Sequence, residues 1–373
     1  MKFNRYALSD LATIKYGKNQ KKVLSESGNI PIYGTGGLMG YATTALYDKP
    51  SVLIGRKGTI GKVKYVEHPF WTVDTLFYTI VNTDIVLPKY LYYVMSLIDL
   101  NNYNEGTTIP SLRTETLNRL EFDIPSLVEQ ETILSCLNPI DEKIALNNAI
   151  NNNLEQQAMA LFKSWFIDFE PFNRQVPKTW INGVLGDFVE IKRGGSPRPI
   201  QDFLSDSGFH WLKISDATGI SSPFINEIKE YIIEAGLKKT VYLKSGSLVL
   251  SNSATPGLPK ILDIDTCIHD GWLYFPSSKF SNEYLYLYFK HIRDNLIALG
   301  NGSVFTNLKT DILKNYPTYL PTEDVLKKFD GLVQPIFSMI LSKTREIKRL
   351  AEIRDTLLPK LMSGELDVSD IDL

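Results

Sequence analysis

A long internal repeat constrains the fold of this 373-residue chain more than any other feature. Residues 106–125, GTTIPSLRTETLNRLEFDIP, align with residues 302–321, GSVFTNLKTDILKNYPTYLP, at an offset of 196 positions (302 minus 106). Upstream, LSDLATIKYGK at 8–18 aligns with LGDFVEIKRGG at 185–195 at an offset of 177 (185 minus 8), so the second copy is longer. A repeat of this size indicates a duplicated domain with a connector, because solenoid units are only about 20–45 residues long.

Between these blocks the two copies share a scaffold and differ in their loops. Short β-type runs broken by glycine recur in both copies, and helical stretches intervene near 89–99 and 283–295. Positions that stay equivalent are VLI at 52–54 with LVL at 248–250, Gly61 with Gly257, and Asp74 with Asp270. Each copy is therefore predicted to fold as an α+β domain.

After each repeated block the sequence predicts a long helix. Ser126 and Glu129 form a capping box at the start of the first helix. Apolar residues then recur at alternating steps of three and four, which is the heptad pattern of coiled coils. The heptad positions are Leu137, Ile140, Ile144, Asn147, Asn151, Leu154, Ala158, Leu161 and Trp165 in the first copy, and Val333, Ile336, Ile340, Lys343, Ile347, Leu350, Arg354, Leu357 and Leu361 in the second.

The polar residues among these positions have two interpretations. They fix the register or orientation of the helix pair at some cost in stability, or they are simply exposed. We expect Pro171 to end the first helix and Pro359 to end or kink the second. Helices of roughly 40 residues at ~1.5 Å per residue would span on the order of 60 Å.

This pattern divides the chain into four segments: a first domain at 1–126, a central helix at 127–172, a second domain at 173–322, and a C-terminal helix with a tail at 323–373. The formal net charge is −2, yet basic side chains outnumber acidic ones in the first domain (14 against 11) and in the second (16 against 14). Proteins that bind phosphate carry basic surfaces, so DNA contacts are expected in the two domains and not in the acidic helices.

The composition argues against several classes of protein. The two cysteines, Cys136 and Cys267, are far apart and have no cysteine or histidine at metal-ligand spacing, which argues against disulfides and a zinc site. The N-terminus lacks the apolar core of a signal peptide, and no apolar stretch is long enough to span a bilayer. A cytoplasmic protein with no membrane partner is therefore predicted.

No motif in the sequence meets the requirements of an active site. GRKGTIGK at 55–62 resembles a phosphate-binding loop, but five residues instead of four precede its final Gly-Lys, and Val63 replaces the Ser or Thr that binds magnesium. GTGGLMG at 34–40 fails the dinucleotide fingerprint and is better explained by turn glycines. The chain is predicted to be non-catalytic, with no cofactor and no metal of its own. A stand-alone DNA methyltransferase or nuclease is the enzyme alternative.

Loops at equivalent places of the two copies carry residues that suit DNA contact. Glycine lets a backbone approach phosphate, lysine and arginine supply positive charge, and arginine can bind guanine through two hydrogen bonds. The candidate DNA-binding residues are Lys15, Lys18, Arg56, Lys57, Thr59 and Lys62 in the first copy, and Lys192, Arg193, Arg198, Asn252, Thr255 and Lys260 in the second. The competing interpretation is a set of surface turns with structural glycines and charges that serve solubility.

A further set of polar residues lies just before the short helix of each repeated block. In the first copy these are Thr107, Thr108 and Ser111, and in the second Ser303, Val304 and Asn307. They would either bond to phosphates or cap the turn.

The residues quoted above resemble those of the specificity subunits of type I restriction-modification systems. The resemblance covers essentially the whole chain and rests on GTTIPSLRTETLNRLEFDIPSLVEQETI at 106–133, LFKSWFIDFEPF at 161–172 and RDTLLPKLMSGELDV at 354–368. It implies two target-recognition domains, each reading one half of a bipartite, asymmetric site in double-stranded DNA. It also implies that two long antiparallel coiled-coil helices separate these domains with pseudo-two-fold symmetry.

The resemblance further implies partner subunits. Two modification subunits, which bind S-adenosylmethionine and methylate adenine, would dock on the helices, and restriction subunits that use ATP and magnesium would join them. The residues expected at the helix pair and at this subunit interface are Leu137, Ile140, Ile144, Leu154, Leu161, Phe162, Trp165, Phe166, Ile336, Ile340, Ile347, Leu350, Leu357 and Leu361. Among them, Leu161, Phe162, Trp165 and Phe166 are expected to be available to partner helices. A solitary or modification-only complex is an open alternative.

Overall fold

The computed structural model describes residues 1–300 and 307–368. The chain divides into two compact units, a first unit of Met1–Glu142 with Leu350–Leu373 and a second unit of Lys143–Arg349. Each unit contains one copy of the duplicated domain and a part of both long helices, and each has its own large hydrophobic core.

The first unit contains three groups of paired strands. Its elements are β1 (Asn4–Ala7), α1 (Leu8–Leu11), β2 (Ala12–Tyr16), β3 (Ile30–Gly34), β4 (Gly37–Ala42), β5 (Ser51–Gly55), β6 (Val63–Val66), β7 (Trp71–Thr72), β8 (Leu76–Val81), α2 (Pro88–Ser96), α3 (Thr114–Asn118) and β9 (Glu121–Ile124). A four-stranded antiparallel sheet has the order β2-β8-β5-β6, and a three-stranded sheet has the order β4-β3-β7 with β7 parallel to β3. β1 and β9 pair antiparallel, and the first long helix, α4 (Leu127–Phe166), follows β9.

The second unit contains two larger sheets. Its elements are β10 (Ile181–Val184), α5 (Leu185–Phe188), β11 (Lys192–Arg193), β12 (Leu204–Ser205), β13 (Phe209–Leu212), α6 (Ile214–Thr218), β14 (Phe224–Ile225), β15 (Tyr231–Ile232), β16 (Val241–Leu243), β17 (Leu248–Ser251), β18 (Pro259–Leu262), β19 (Thr266–Ile268), β20 (Trp272–Tyr274), α7 (Asn282–Gly300), α8 (Thr310–Lys314) and β21 (Pro317–Leu320). The sheets have the orders β11-β20-β17-β18-β14 and β12-β15-β13-β19-β16, and β10 pairs with β21. The second long helix, α9 (Glu323–Ser363), follows β21.

The strand topology shows the duplication directly. The order β11-β20-β17-β18 in the second unit repeats β2-β8-β5-β6 in the first, and β13 pairs in parallel with β19 as β3 does with β7. The ribbon β10–β21 likewise repeats β1–β9. The second domain adds β14 at a sheet edge and has five strands where the first has three. The predicted α+β fold with a duplicated domain and two long helices is confirmed.

The two long helices run antiparallel in the second unit, and an ion pair joins them in the first. In the second unit Lys143 lies 3.8 Å from Glu346, whereas further along α4 the ring of Phe162 lies 6.2 Å from that of Phe329. Residue numbers thus rise along α4 as they fall along α9. In the first unit Arg354 forms an ion pair with Asp141 at 3.1 Å. The capping box is also present, because the amide of Ser126 donates to Glu129 at 2.9 Å and Ser126 Oγ accepts the amide of Glu129 at 3.3 Å.

The polar heptad positions are mostly enclosed. Asn147 and Asn151 are buried, and Asn151 Nδ2 donates to Thr344 Oγ1 at 3.3 Å across the helix pair. The interpretation that they are simply exposed is therefore wrong for these two asparagines. A buried side-chain hydrogen bond between helices favours the register in which it forms, because a shifted pairing would leave the polar groups unsatisfied.

The second long helix does not end at Pro359. It continues to Ser363, and Gly364 follows with φ of +78°. Leu358, Leu361 and Met362 pack in the core of the first unit, and this burial holds the last helical turn in spite of the hydrogen bond that a proline removes. A glycine in the left-handed region is the usual residue after a helix end, so Gly364 is the true termination signal.

Among the helices of the described residues, none is long and apolar enough to cross a membrane. In the same part of the chain no three His, Cys, Asp or Glu side chains are placed to hold a metal ion.

Candidate nucleic-acid interface

Four loops of the first unit meet at one end of the sheet that contains β5 and β8. The amide of Arg56 donates to the carbonyl of Thr75 at 2.8 Å, and the carbonyl of Arg56 accepts the amide of Leu112 at 3.0 Å. The amide of Gly17 donates to the carbonyl of Leu76 at 3.0 Å. These bonds join the loop after β2, the loop after β5, the turn before β8 and the segment before α3, and we call this arrangement the loop frame.

The second unit repeats the loop frame bond for bond. The amide of Asn252 donates to the carbonyl of Gly271 at 2.8 Å, the carbonyl of Asn252 accepts the amide of Leu308 at 2.7 Å, and the amide of Gly194 donates to the carbonyl of Trp272 at 2.9 Å. Each atom pair occupies the position that the sequence offsets predict. The duplication therefore extends to the hydrogen bonds that shape the loops.

One side chain at the same place in each copy completes the frame. Arg56 Nη1 donates to the main-chain carbonyl of Asp74 at 2.9 Å, and Asn252 Nδ2 donates to that of Asp270 at 3.2 Å. Asn252 is only 4% exposed, so it holds the loop and does not offer its amide to a ligand. This corrects the expectation that Asn252 contacts DNA.

Glycines of the frame have a structural reason. A Cβ added at Gly17 would lie 2.0 Å from the carbonyl oxygen of Val73, and one added at Gly194 would lie 2.3 Å from that of His269. Any side chain there would push the two loops apart. The structural interpretation of these glycines is therefore correct, and it coexists with the exposed charges around them.

In the first domain the frame presents a basic and partly aromatic surface. Arg56 lies over the ring of Tyr16 at 5.0 Å, and this ring is half exposed. Lys57 forms a β-bridge with Ser111, and Gly58 donates its amide to Pro110 at 2.9 Å, which brings the 107–110 segment beside the β5 loop. The exposed candidates here are Lys15, Lys18, Lys57, Thr59, Lys62, Thr107 and Thr108.

In the second domain the exposed charges gather around Asp270. Its carboxylate accepts a hydrogen bond from Ser196 Oγ at 2.7 Å and lies 3.3 Å from Arg198 Nη2 and 3.8 Å from Arg193 Nη2. The hydrogen bond from Ser196 lowers the pKa of Asp270, and the positive charges of Arg193 and Arg198 lower it further, against burial, which raises it. This carboxylate is therefore ionised under ordinary conditions and holds the two arginines.

A cleft of about 770 Å³ adjoins this cluster. Its lining includes Arg198, the apolar side chains of Trp211 and Ile200, and Lys213, which is ion-paired with Glu230. In the first domain a smaller cavity of about 460 Å³ borders Asp74.

Three further candidates have restricted roles. Lys260 is 2% exposed, and its ammonium donates to the carbonyls of Ile220 and Ser222, so it lies in the interior and cannot reach DNA. Lys192 is exposed and ion-paired with Glu190 at 2.8 Å, and Thr255 is half-buried. Of the second copy of the turn, Asn307 is exposed, whereas Ser303 and Val304 lie outside the described residues.

Most of the residues expected at the helix interface lie inside the two cores or pack at their borders. The exceptions are half-buried: Ile140, Ile144, Ile347 and Leu350. Phe162 is 1% exposed and Phe166 is 7% exposed, and both pack on Tyr284 and Phe329 of the same chain. They are therefore not available to partner helices, which corrects that expectation. Aromatic side chains of α7 and α9 already cover them. Leu161 and Trp165 are half-buried at the edge of this cluster.

Sequence reasoning did not identify Asp270, Ser196 or Tyr16 as parts of the candidate interface. The equivalence of Asp74 and Asp270 was the available signal, since an acidic residue kept in two diverging loops beside cations suggests an ion pair. Ser196 and Tyr16 have no such signal, because their contacts depend on how the loops meet.

The comparisons with known proteins agree on one family. The model of the Type I restriction modification DNA specificity domain matches residues 2–156 and 177–347. The chain is 28% identical over 350 residues to the type I restriction enzyme MjaIX specificity subunit of Methanocaldococcus jannaschii, covering 87% of this chain and 80% of that protein. It is 26% identical over 388 residues to the HindI specificity subunit of Haemophilus influenzae, covering 82% and 84%.

The fold agrees with this family. The crystal structure of the type I restriction-modification S subunit from M. genitalium superposes with a TM-score of 0.61 at 16% identity, covering 97% of this chain and 96% of that one. The family match falls in both copies of the repeat and includes most of the chain. This chain therefore belongs to the type I restriction-modification DNA specificity family, whose members recognise DNA and do not catalyse reactions themselves.

Proposed function

We propose that each domain reads one half of a bipartite, asymmetric DNA site through the residues that its loop frame exposes. The observation that carries this proposal is the frame itself: the same main-chain hydrogen bonds occur in both domains, while the exposed residues differ. Cations and an aromatic ring in the first domain, and two arginines on a carboxylate in the second, offer different donors to base edges. We therefore expect the two domains to recognise two different half-sites.

Paired loop variants test this proposal. Arg56→Asn with Lys57→Ala removes two positive charges from the first domain, and the asparagine can keep the hydrogen bond to Asp74, as Asn252 does in the second domain. We expect the base preference of one half-site to relax and that of the other to remain. Methylation-aware sequencing of cells that express the complete complex measures both half-sites and the spacer at once. Equal loss on every DNA sequence would instead indicate phosphate contacts.

We further propose that the chain is a scaffold for two modification subunits, which bind S-adenosylmethionine, and for restriction subunits, which use ATP and magnesium. The support is an exposed apolar face on α9, where Leu332 and Met339 are about half exposed and lie seven residues apart. Residues at this spacing share one face of a helix, and exposed apolar side chains of this kind suit docking of another helix.

A further inference from the structure

One carboxylate of the second domain holds two guanidinium groups. Arg198 Nη2 lies 3.3 Å from Asp270 Oδ2, and Arg193 Nη2 lies 3.8 Å from the same oxygen. Ser196 Oγ donates to the other oxygen at 2.7 Å. Because both carboxylate oxygens are engaged, the orientation of Asp270 is fixed at the turn of the loop frame.

The two arginines differ in how much of each remains available. Arg193 is tied at two points, since its Nε also donates to the main-chain carbonyl of Asp270. Within the described residues, the carboxylate is the one hydrogen-bond and ion-pair partner of the Arg198 side chain, which is 80% exposed. A guanidinium has five N–H donors in a rigid fork, so Arg198 keeps donors for a planar acceptor pair. The N7 and O6 atoms of guanine in the major groove are such a pair.

The first domain lacks this arrangement. At the offset of 177, Tyr16 stands where the second domain has Arg193, and Lys21 stands where it has Arg198. The ring of Tyr16 lies under Arg56 instead. Within the described residues no ion pair involves the Asp74 carboxylate. Both domains therefore have the aspartate, whereas an aspartate carboxylate that orients arginine is found in the second domain.

We propose that Asp270 is a positioning residue that holds Arg198 to read a guanine in the half-site of the second domain. The inference rests on the proposed function, because it names one base within the site which that function predicts. Asp270 acts through Arg198 and does not contact the base. Arg193 keeps the turn in place through the main chain of Asp270 and adds a second cation beside the carboxylate.

The test uses the complete complex and a pool of DNA duplexes in which both half-sites and the spacer are randomised. Bound duplexes are sequenced for the wild type, Arg198→Lys and Asp270→Asn. Arg198→Lys keeps the charge and removes the fork, and we expect folding to be unchanged because this side chain is 80% exposed. Asp265→Asn is the matched control, since Asp265 is 37% exposed, as Asp270 is, and is ion-paired with Lys244 at 2.7 Å.

We expect the wild type to select a guanine at one position of one half-site. Arg198→Lys and Asp270→Asn each lower that selection on the order of tenfold or more and leave the other half-site unchanged. Asp265→Asn has no such effect. Affinity for unrelated duplex DNA is the second readout. Asp270→Asn maintains or raises it, because a negative charge near phosphates is removed, whereas a merely structural defect would lower it together with the selection.

Three results would overturn the inference. The first is a half-site of the second domain in which no guanine is selected through Arg198. The second is unchanged guanine selection in Arg198→Lys. The third is an equal loss of selection at every position in Asp270→Asn. In each of these cases the selection of two half-sites by the wild type would still support the proposed function. A wild-type complex that selects no bipartite site would overturn both.

Discussion

At the scale of single residues, the interior of the second domain holds a lysine that the sequence places among the DNA-contact candidates. Lys260 donates to the carbonyls of Ile220 and Ser222 at 2.6 and 2.5 Å, and it pairs with Val249 across β17 and β18. The ammonium therefore fastens the 220–222 turn to the sheet. Burial lowers the pKa of Lys260 to about 8.

This pKa predicts how stability changes with pH. An unfolded lysine has a pKa of about 10.4, so the folded chain binds fewer protons between pH 8 and 10.4 and its free energy of unfolding rises with pH there. Between pH 7 and pH 9 we expect the wild type to gain about 1 kcal/mol relative to Lys260→Met. Urea denaturation of both proteins at the two pH values measures this difference. The same pH dependence in both would contradict the buried, shifted lysine.

The placement of Lys260 also shows where sequence reasoning about the site reached its limit. Equivalence between copies correctly located the loops after β2, β5, β11 and β17, because glycine and repeat spacing are local signals. Whether a given side chain faces DNA depends on strand register and on neighbouring loops. Asn252 and Lys260 point inward for that reason, and Asp270 gains its importance from arginines more than 70 positions away.

At the scale of elements, the sequence predicted the positions of the helices more accurately than it predicted which side chains of the candidate sites are exposed. Heptad spacing and the Ser126 capping box are periodic or local, so they predicted α4 and α9 and such buried positions as Leu137 and Ile340. The expected end of α9 at Pro359 is wrong, because the core packing of Leu361 holds the last turn and the helix ends before Gly364. A proline can remain inside a helix when the free energy gained by burying neighbouring side chains exceeds the cost of the lost hydrogen bond.

We propose that the length of the two long helices sets the spacer between the half-sites, and a change of helix length tests this proposal. Insertion of one heptad into α4 and one at the matching position of α9 adds about 10 Å at ~1.5 Å per residue. We expect the spacer between half-sites to lengthen by about three base pairs at ~3.4 Å each, with both half-sites unchanged. Methylation-aware sequencing measures the spacer. A heptad inserted into α4 alone is the control, since it mismatches the pair and should lower stability. Altered base identities would contradict the proposal.

At the scale of the whole molecule, the chain contains two copies of one domain fold. The repeat in the sequence predicted this, because equivalence across about 200 positions survives substitution of most loop residues. The extra strands of the second domain were not predicted, since β12, β14 and β15 are only two residues long and leave no periodic signal.

Docking of partner subunits is testable on the exposed face of α9. Leu332→Glu with Met339→Glu places two charges on this apolar face, and we expect association with modification subunits to be lost while the thermal midpoint stays near that of the wild type. Size-exclusion chromatography with light scattering of the mixed subunits measures association. Ser338→Glu, an exposed position on another side of the same helix, is the control. Co-elution of the double variant with its partners would exclude this face.

The loop frame has a consequence for how such a chain acquires new targets. Its joining bonds come mainly from main-chain amides and carbonyls, which every residue except proline supplies in full. We therefore expect that substitution at Lys57, Thr59 or Arg198 changes the bases that are read while the loops keep their shape. Two frames on one chain can vary independently, so a new target can arise by exchange of one half-site at a time.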